Sequence, residues 1–444
     1  MTTARNFRAG ILLAALLAAS GCSVFKKGKA AGTPVLGQRI AVLTTEGDVA
    51  VDAATRTQPM NLPEPTQNAD WAQSGGNANK SMGQLALGAS LQPAFAVQAG
   101  RGSSVTARLS ASPIVADGRA YTMDTLGAVR AFDTRNGGQL WVSQTPNDKG
   151  NESSLYGGGI AYDAGRIYAT NGLGYVAALD ARTGGILWKQ RPGGPLRGSP
   201  TVTGDTVYVM SQDNQIYSLK ESDGTLNWSA AASLEIAGVF GTASPAVAQG
   251  TVVAGFSSGE LNAYRYENGR QVWSDALQRT SMSTSVSSLA DVDADPIIDN
   301  GQVIAVGQGG RMVALELTSG QRQWELNIAG ISTPWVAGEW VFVVTDDAKL
   351  MCVNRTTGKI RWINSLPEFR RIKTKKGQID YRGPVLAGGR LIVVTSGGTV
   401  INLDPATGSF QSQWRVGAGV TVPPVVAGGT LYVLDDAGRL HAYR

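Results

Sequence analysis

Residues 112–141 read SPIVADGRAYTMDTLGAVRAFDTRNGGQLW. Ser-Pro opens the stretch, short apolar runs follow with Gly between them, and Asp133-Thr-Arg-Asn-Gly137 leads to Trp141. The phrase returns from Ser199 to Trp228, Ser244 to Trp273, Pro334 to Trp362 and Pro384 to Trp414. Looser copies run from Gly157 to Trp188, from Asp295 to Trp324 and, unfinished, from Pro423 to Arg444. A period of roughly forty residues with four short strands per unit predicts one propeller blade per repeat. The fold expected is therefore all-β: an eight-bladed β-propeller of four-stranded antiparallel blades.

Within the first repeat the strands are expected at 113–116, 120–124, 128–132 and 139–143. The link from third to fourth strand is the most regular feature, as in Asp180-Ala-Arg-Thr-Gly184, Asn354-Arg-Thr-Thr-Gly358 and Asp404-Pro-Ala-Thr-Gly408. An Asp or Asn side chain there bonds the backbone two residues on, and Gly takes a left-handed conformation. Trp141, Trp188, Trp228, Trp273, Trp324, Trp362 and Trp414 follow this turn and are expected to pack between blades. The last repeat stops after its third strand. Pro93-Ala-Phe95-Ala-Val-Gln98 supplies the missing outer strand, with Phe95 in the place of Trp, so both chain ends share one blade and no edge is left between first and last.

Residues 1–21 read as a signal peptide: Arg5 and Arg8 precede an apolar core, Ile11 to Ala19, too short to span a bilayer. Ala19-Ser20-Gly21-Cys22 resembles the lipobox of bacterial lipoproteins, which implies acylation of Cys22. Ser23 after it implies sorting to the outer membrane. Residues 22–70, with Lys26, Lys27, Lys29 and four prolines among small polar residues, are expected to be a lipidated flexible tether. The propeller is expected from 71 to 444. Of the two cysteines, Cys352 is then left alone in a third strand, where a buried inert thiol is expected. The formal charge of +5 falls by two when the signal is removed, which argues against nucleic acid as a partner. The membrane is expected to be engaged through the lipid anchor only.

All links from an outer strand to the next inner strand lie on one face. Residues 229–242 and 274–293 are two consecutive long links of this kind. The first carries Leu234, Ile236, Val239 and Phe240, and the second Asp291, Val292 and Asp293. An apolar centre with a charged rim is what a protein-binding patch needs. The spacing Asp291-Val-Asp293-Ala-Asp295 fails as a calcium loop, since Pro296 and Gln302 stand where an EF-hand needs Gly and Glu. No metal is expected. Another link on this face, from Phe369 to Lys376, carries five basic residues in seven, suited to an acidic partner or to anionic headgroups.

The repeat resembles that of pyrroloquinoline-quinone dehydrogenases. In its eight-bladed, lipid-anchored form it resembles the BamB lipoproteins of the outer-membrane β-barrel assembly (BAM) machinery. Leu289-Ala-Asp291-Val292-Asp293 is similar to the Leu-Ser-Asp-Val-Asp stretch of that family, which implies contact with the POTRA domains of BamA. Leu234 to Pro245 matches the family's other contact loop in its Gly and Ser-Pro frame, but Val239-Phe240 stands where the family has Leu-Arg. The resemblance implies a scaffold of the BAM complex, without catalysis or cofactor, on the periplasmic face of the outer membrane. Other BAM subunits and unfolded outer-membrane proteins are further expected partners. A dehydrogenase-like enzyme and a periplasmic binding propeller unrelated to barrel assembly remain alternatives. Against the enzyme, the chain lacks that family's Cys-Cys pair, and its single His, His441, leaves nucleophilic chemistry without a base.

Overall fold

Each repeat folds into an antiparallel four-stranded meander. In blade 1 the strands are Ile114–Ala116, Arg119–Met123, Ala128–Asp133 and Gln139–Gln144, in that spatial order from the axis outward. Blades 2 to 7 repeat it at 160–190, 196–231, 246–276, 297–326, 335–365 and 381–415. The computed structural model describes residues 49–151, 154–234, 243–278 and 290–444, and all belong to one compact unit. The signal, the acylation site Cys22 and the first part of the tether lie outside the described residues.

The burial pattern explains the sequence of each strand. Second and third strands are covered on both faces by neighbouring blades, so they read as continuous apolar runs; Trp340–Val344 is buried at every position. Outer strands are covered on one side only and alternate, as in Gln139–Gln144. Cys352 is fully buried, opposite Trp362 in the ladder, and burial pushes its thiol pKa up.

The turn before each outer strand joins one blade to the next. In blade 2, Asp180 Oδ1 accepts from the backbone N–H of Arg182 and of Thr183, at 3.0 and 2.7 Å, and Gly184 has φ +78°. The glycine has a second reason to be there. The indole of Trp141 in blade 1 lies against it, so that a Cβ on Gly184 would come within 2.6 Å of the ring. Trp141 Nε1 donates to Ala181 O of that turn at 3.1 Å. Trp188, Trp228, Trp273, Trp324 and Trp362 repeat this bond to Glu221, Tyr266, Leu317, Arg355 and Pro405, at 2.6–3.0 Å. Each of blades 1 to 6 is thus stapled to the next by a ring on a glycine.

Trp414 corrects the expected series. The ladder position held by Trp141 opposite Ala131, and by Trp362 opposite Cys352, is held in blade 7 by Ser412 opposite Asn402. Trp414 lies two residues further along the strand and packs edge-on against Tyr443 of blade 8, with ring centroids 5.6 Å apart. The reason is the joint itself. Blade 8 consists of Val425–Ala427, Thr430–Leu434 and Arg439–Tyr443, and its outer strand is Pro93–Gln98 from the other end of the chain. No turn connects its last two strands, so there is no glycine for a blade 7 indole to cover. On the far side of the joint Phe95 does take the Trp role, lying 2.6 Å from the Cβ position of Gly137.

The expected boundary at residue 71 is also corrected: residues 49–92 belong to the body. Val51 bridges to Ile360, and Ala53–Thr57 forms a short helix (α1) capped by Asp52, whose carboxylate also meets Lys359 Nζ at 3.1 Å. Residues 66–88 then cross one end of the ring as a plug. Trp71 exchanges backbone bonds with Val115 of blade 1, Ala72 O accepts from Tyr162 N of blade 2, and the Gln73 side chain pairs with Val202 of blade 3. Ala78 and Asn79 accept from Val247 and Ile298 of blades 4 and 5. Gly83 O accepts from Trp335 Nε1 of blade 6, Leu85 bonds Leu386 and Gly388 of blade 7, and Asn68 bonds Val426 and Gly428 of blade 8. Inner strands leave backbone groups unpaired toward the axis, and buried groups of that kind need partners. The plug supplies one or more to every blade but the sixth, where it accepts from the Trp335 indole instead.

Candidate partner-binding site

The two long links expected to form a docking surface are described at their ends. Ile236, Val239 and Phe240 fall within 235–242, and 279–289 is the corresponding part of the second link; both lie outside the described residues. Leu234 is 78% exposed. Its neighbour Ser233 donates to Glu260 twice, N to Oε2 at 2.8 Å and Oγ to Oε1 at 2.9 Å. Ser258 Oγ adds a third bond at 2.9 Å. Burial works against the Glu260 carboxylate, but these donors outweigh it and hold its pKa below the usual value. Glu260 stands opposite Ala276, the last residue of the outer strand of blade 4. The root of the first link and the root of the second therefore meet at one residue, Glu260, the first at its carboxylate and the second across the ladder.

Asp291, Val292 and Asp293 do not form the exposed charged rim expected of them. Asp291 is fully buried, and its Oδ1 lies 3.3 Å from Nη1 of Arg197, with those two side chains 1% and 2% exposed. Arg197 Nη2 also donates to Gly255 O and Val292 O, at 3.2 and 3.3 Å. Val292 is buried and fills the space a side chain at position 255 would need, which is why Gly255 stands there. Asp293 is 9% exposed, and among the described residues its Oδ1 has no hydrogen-bond partner. Burial, reinforced by the charge of Asp291 and opposed by Arg197 and Arg382, pushes its pKa up to about 7. Asp295 accepts from Ser74 Oγ of the plug at 2.6 Å and from Ser244 N at 2.7 Å. Close by, buried Lys80 has its pKa lowered to about 8 by burial, against the attraction of Asp295. The three carboxylates turn inward, each to different partners. Among the described residues no group of three or more His, Cys, Asp or Glu is placed to hold a metal ion.

Arg197 was not singled out in the sequence. A signal for it exists: Arg197-Gly-Ser-Pro200 and Arg382-Gly-Pro384 both set an arginine just before the start of a repeat. Arg382 comes from the corresponding place in blade 7 and donates to Thr421 O and Tyr381 O. Burial lowers its pKa, while Asp380, Asp346 and Asp293 work the other way. With Asp293 it lines an axial pocket of about 370 Å³ whose walls include Ser112, Tyr156, Ser199 and Pro423 and which reaches Ser74 of the plug.

Known proteins agree with this architecture. The family described as outer membrane protein assembly factor BamB matches residues 126–364 and 371–444. The chain is similar to the factor of that name from Escherichia coli K12, at 27% identity over 374 residues covering 74% of this chain and 83% of that one. It is similar to the one from Vibrio cholerae at 29% identity, covering 74% and 82%. Among solved structures, BamB from Moraxella catarrhalis superposes with a TM-score of 0.67 at 18% identity, over 80% of this chain and all of that one. A quinohemoprotein alcohol dehydrogenase from Comamonas testosteroni superposes with a TM-score of 0.66 at 14% identity, over 85% and 81%, a likeness of fold alone. With most of the repeats matched by one family, the chain belongs to the outer membrane protein assembly factor BamB family.

Proposed function

We propose that this chain is a non-enzymatic scaffold of the BAM complex, tethered through Cys22 to the periplasmic face of the outer membrane. It docks on the POTRA domains of BamA, beside other BAM subunits, and aids the folding and insertion of outer-membrane proteins. Family membership supports the assembly role. The observation that carries the docking surface is the meeting of both link roots at Glu260, with Leu234 exposed beside it. In this reading Leu234, Ile236, Val239 and Phe240 provide the apolar contact. Asp291, Val292 and Asp293 act from beneath, by fixing the end of the second link against Arg197.

The test is capture of BamA from gently solubilised membranes through a C-terminal tag. Leu234→Asp and Phe240→Asp should each reduce BamA recovery at least tenfold, and Leu234→Asp, at an exposed position, should leave the melting temperature of the propeller within about 1 °C. Undiminished recovery with both variants would refute the docking site.

A further inference from the structure

The basic link of blade 7 is a structured arm. Phe369–Arg371 and Lys376–Gln378 pair as a two-stranded ribbon, joined by a short 3₁₀ turn over Ile372–Thr374. It carries Arg370, Arg371, Lys373, Lys375 and Lys376 and no acid; the flanking acids are Glu368 and Asp380. Ile372, at its turn, is 73% exposed. Beneath the arm runs a groove of about 530 Å³ between blades 6 and 7, with Leu366, Ile379, Ile401 and Phe410 in its walls. Arg370 and Arg415 both line it. Arg370 Nη2 donates to Ser396 O at 3.0 Å and Arg415 Nη2 to Gly397 O at 3.1 Å, so two guanidinium groups converge on one turn. Among the described residues, none of these six cations is in an ion pair.

We propose that this arm and groove form a docking site for an anionic phospholipid surface, with the two arginines taking headgroup phosphate and the groove taking apolar chain. Two guanidiniums held side by side without a carboxylate repel each other, and a phosphate relieves that repulsion with charge-assisted bonds. An exposed apolar residue ringed by cations is the arrangement of a peripheral membrane contact, with the apolar tip below the headgroups and the cations among them. An acidic protein would satisfy the charges but would leave Ile372 without an apolar counterpart. The site is separate from the Leu234 surface and would orient the tethered propeller with its link-bearing rim toward the bilayer.

The experiment uses the chain from residue 22 onward carrying Cys22→Ala, so that no acyl group contributes. Its co-sedimentation is measured with phosphatidylcholine vesicles and with vesicles containing phosphatidylglycerol. Preference for the anionic vesicles, weakened by salt, is expected. Arg371→Glu with Lys373→Glu and Lys376→Glu, all at exposed positions, should lower anionic binding more than tenfold, at about fivefold per charge removed. Ile372→Asp should lower it as well, and Arg370→Gln with Arg415→Gln should do so without altering the melting temperature. Equal binding to both vesicle types, wild-type binding by the triple variant, or binding to polyglutamate but not to vesicles would overturn the proposal. BamA capture by the triple variant should stay at the wild-type level; its loss would place the arm in a protein interface instead.

Discussion

Arg197 at the start of blade 3 and Asp291 in the link into blade 5 meet across blade 4, and neither reaches solvent. Removing one partner of a buried pair leaves an uncompensated charge, at a cost of about 3–5 kcal/mol. Asp291→Ala should therefore lower stability as well as disturb the link, and Arg197→Ala should do the same. The combined Arg197→Met, Asp291→Leu chain should recover much of the loss in denaturant titrations. If the single variants melt like the parent, the pair does not hold the link.

Asp293 has the opposite sensitivity to pH from a paired surface carboxylate. Burial raises its folded-state pKa to about 7 from the ordinary aspartate value of 3.8. Between those values the folded state holds a proton that the unfolded state has lost, so its contribution to stability falls as pH rises from about 4 to 7. The groups facing it are Asp291, Arg197, Arg382 and Asp346. Asp293→Asn should flatten this part of the profile and melt higher than the parent at pH 8. Thermal melts of both chains across pH 4–8 check it, and parallel profiles would count against an ionised, unpartnered carboxylate.

The blade staples should differ in worth along the ring. Trp141→Ala or Trp273→Ala opens a large cavity and should cost about 3–5 kcal/mol. Trp362→Phe keeps the ring but leaves Pro405 O without its indole donor, costing about 1 kcal/mol. Trp414→Phe should cost less, because among the described residues no carbonyl accepts from that indole. Urea titrations of these four variants would rank them. Equal costs at 362 and 414 would refute the distinction.

Blade 8 depends on strands from both ends, so residues 425–444 are needed by the whole ring. Deleting them should abolish the cooperative melt, since Pro93–Gln98 loses its partner strand and both flanking blades are left with an apolar face uncovered. A truncated chain that still melts in one sharp transition would show that the seam is dispensable.

Much of this architecture was legible because eight repeats state one pattern: the strands of blade 1 fall within about a residue of where the sequence placed them. Trp414 is the exception, two residues beyond the place that the repeat spacing assigns. Counting from Asp404 as one counts from Asn354 to Trp362 lands on Ser412. The plug was not legible, because it pairs one or two residues at a time with eight different strands and so has no period of its own. Leu234 was readable as an exposed apolar residue in a long link. The inward turn of Asp291 was not, because its partner Arg197 is far away in sequence and comes together with it only once blade 4 stands between them.

The blade shared by both termini also sets the order of events when this chain is made. Delivered N-terminus first, residues 93–98 must wait, unpaired, until the last strand has emerged some 340 residues later. Sealing the circle is thus the final act of maturation, and a chaperone that shields the waiting segment would act before any docking surface is complete.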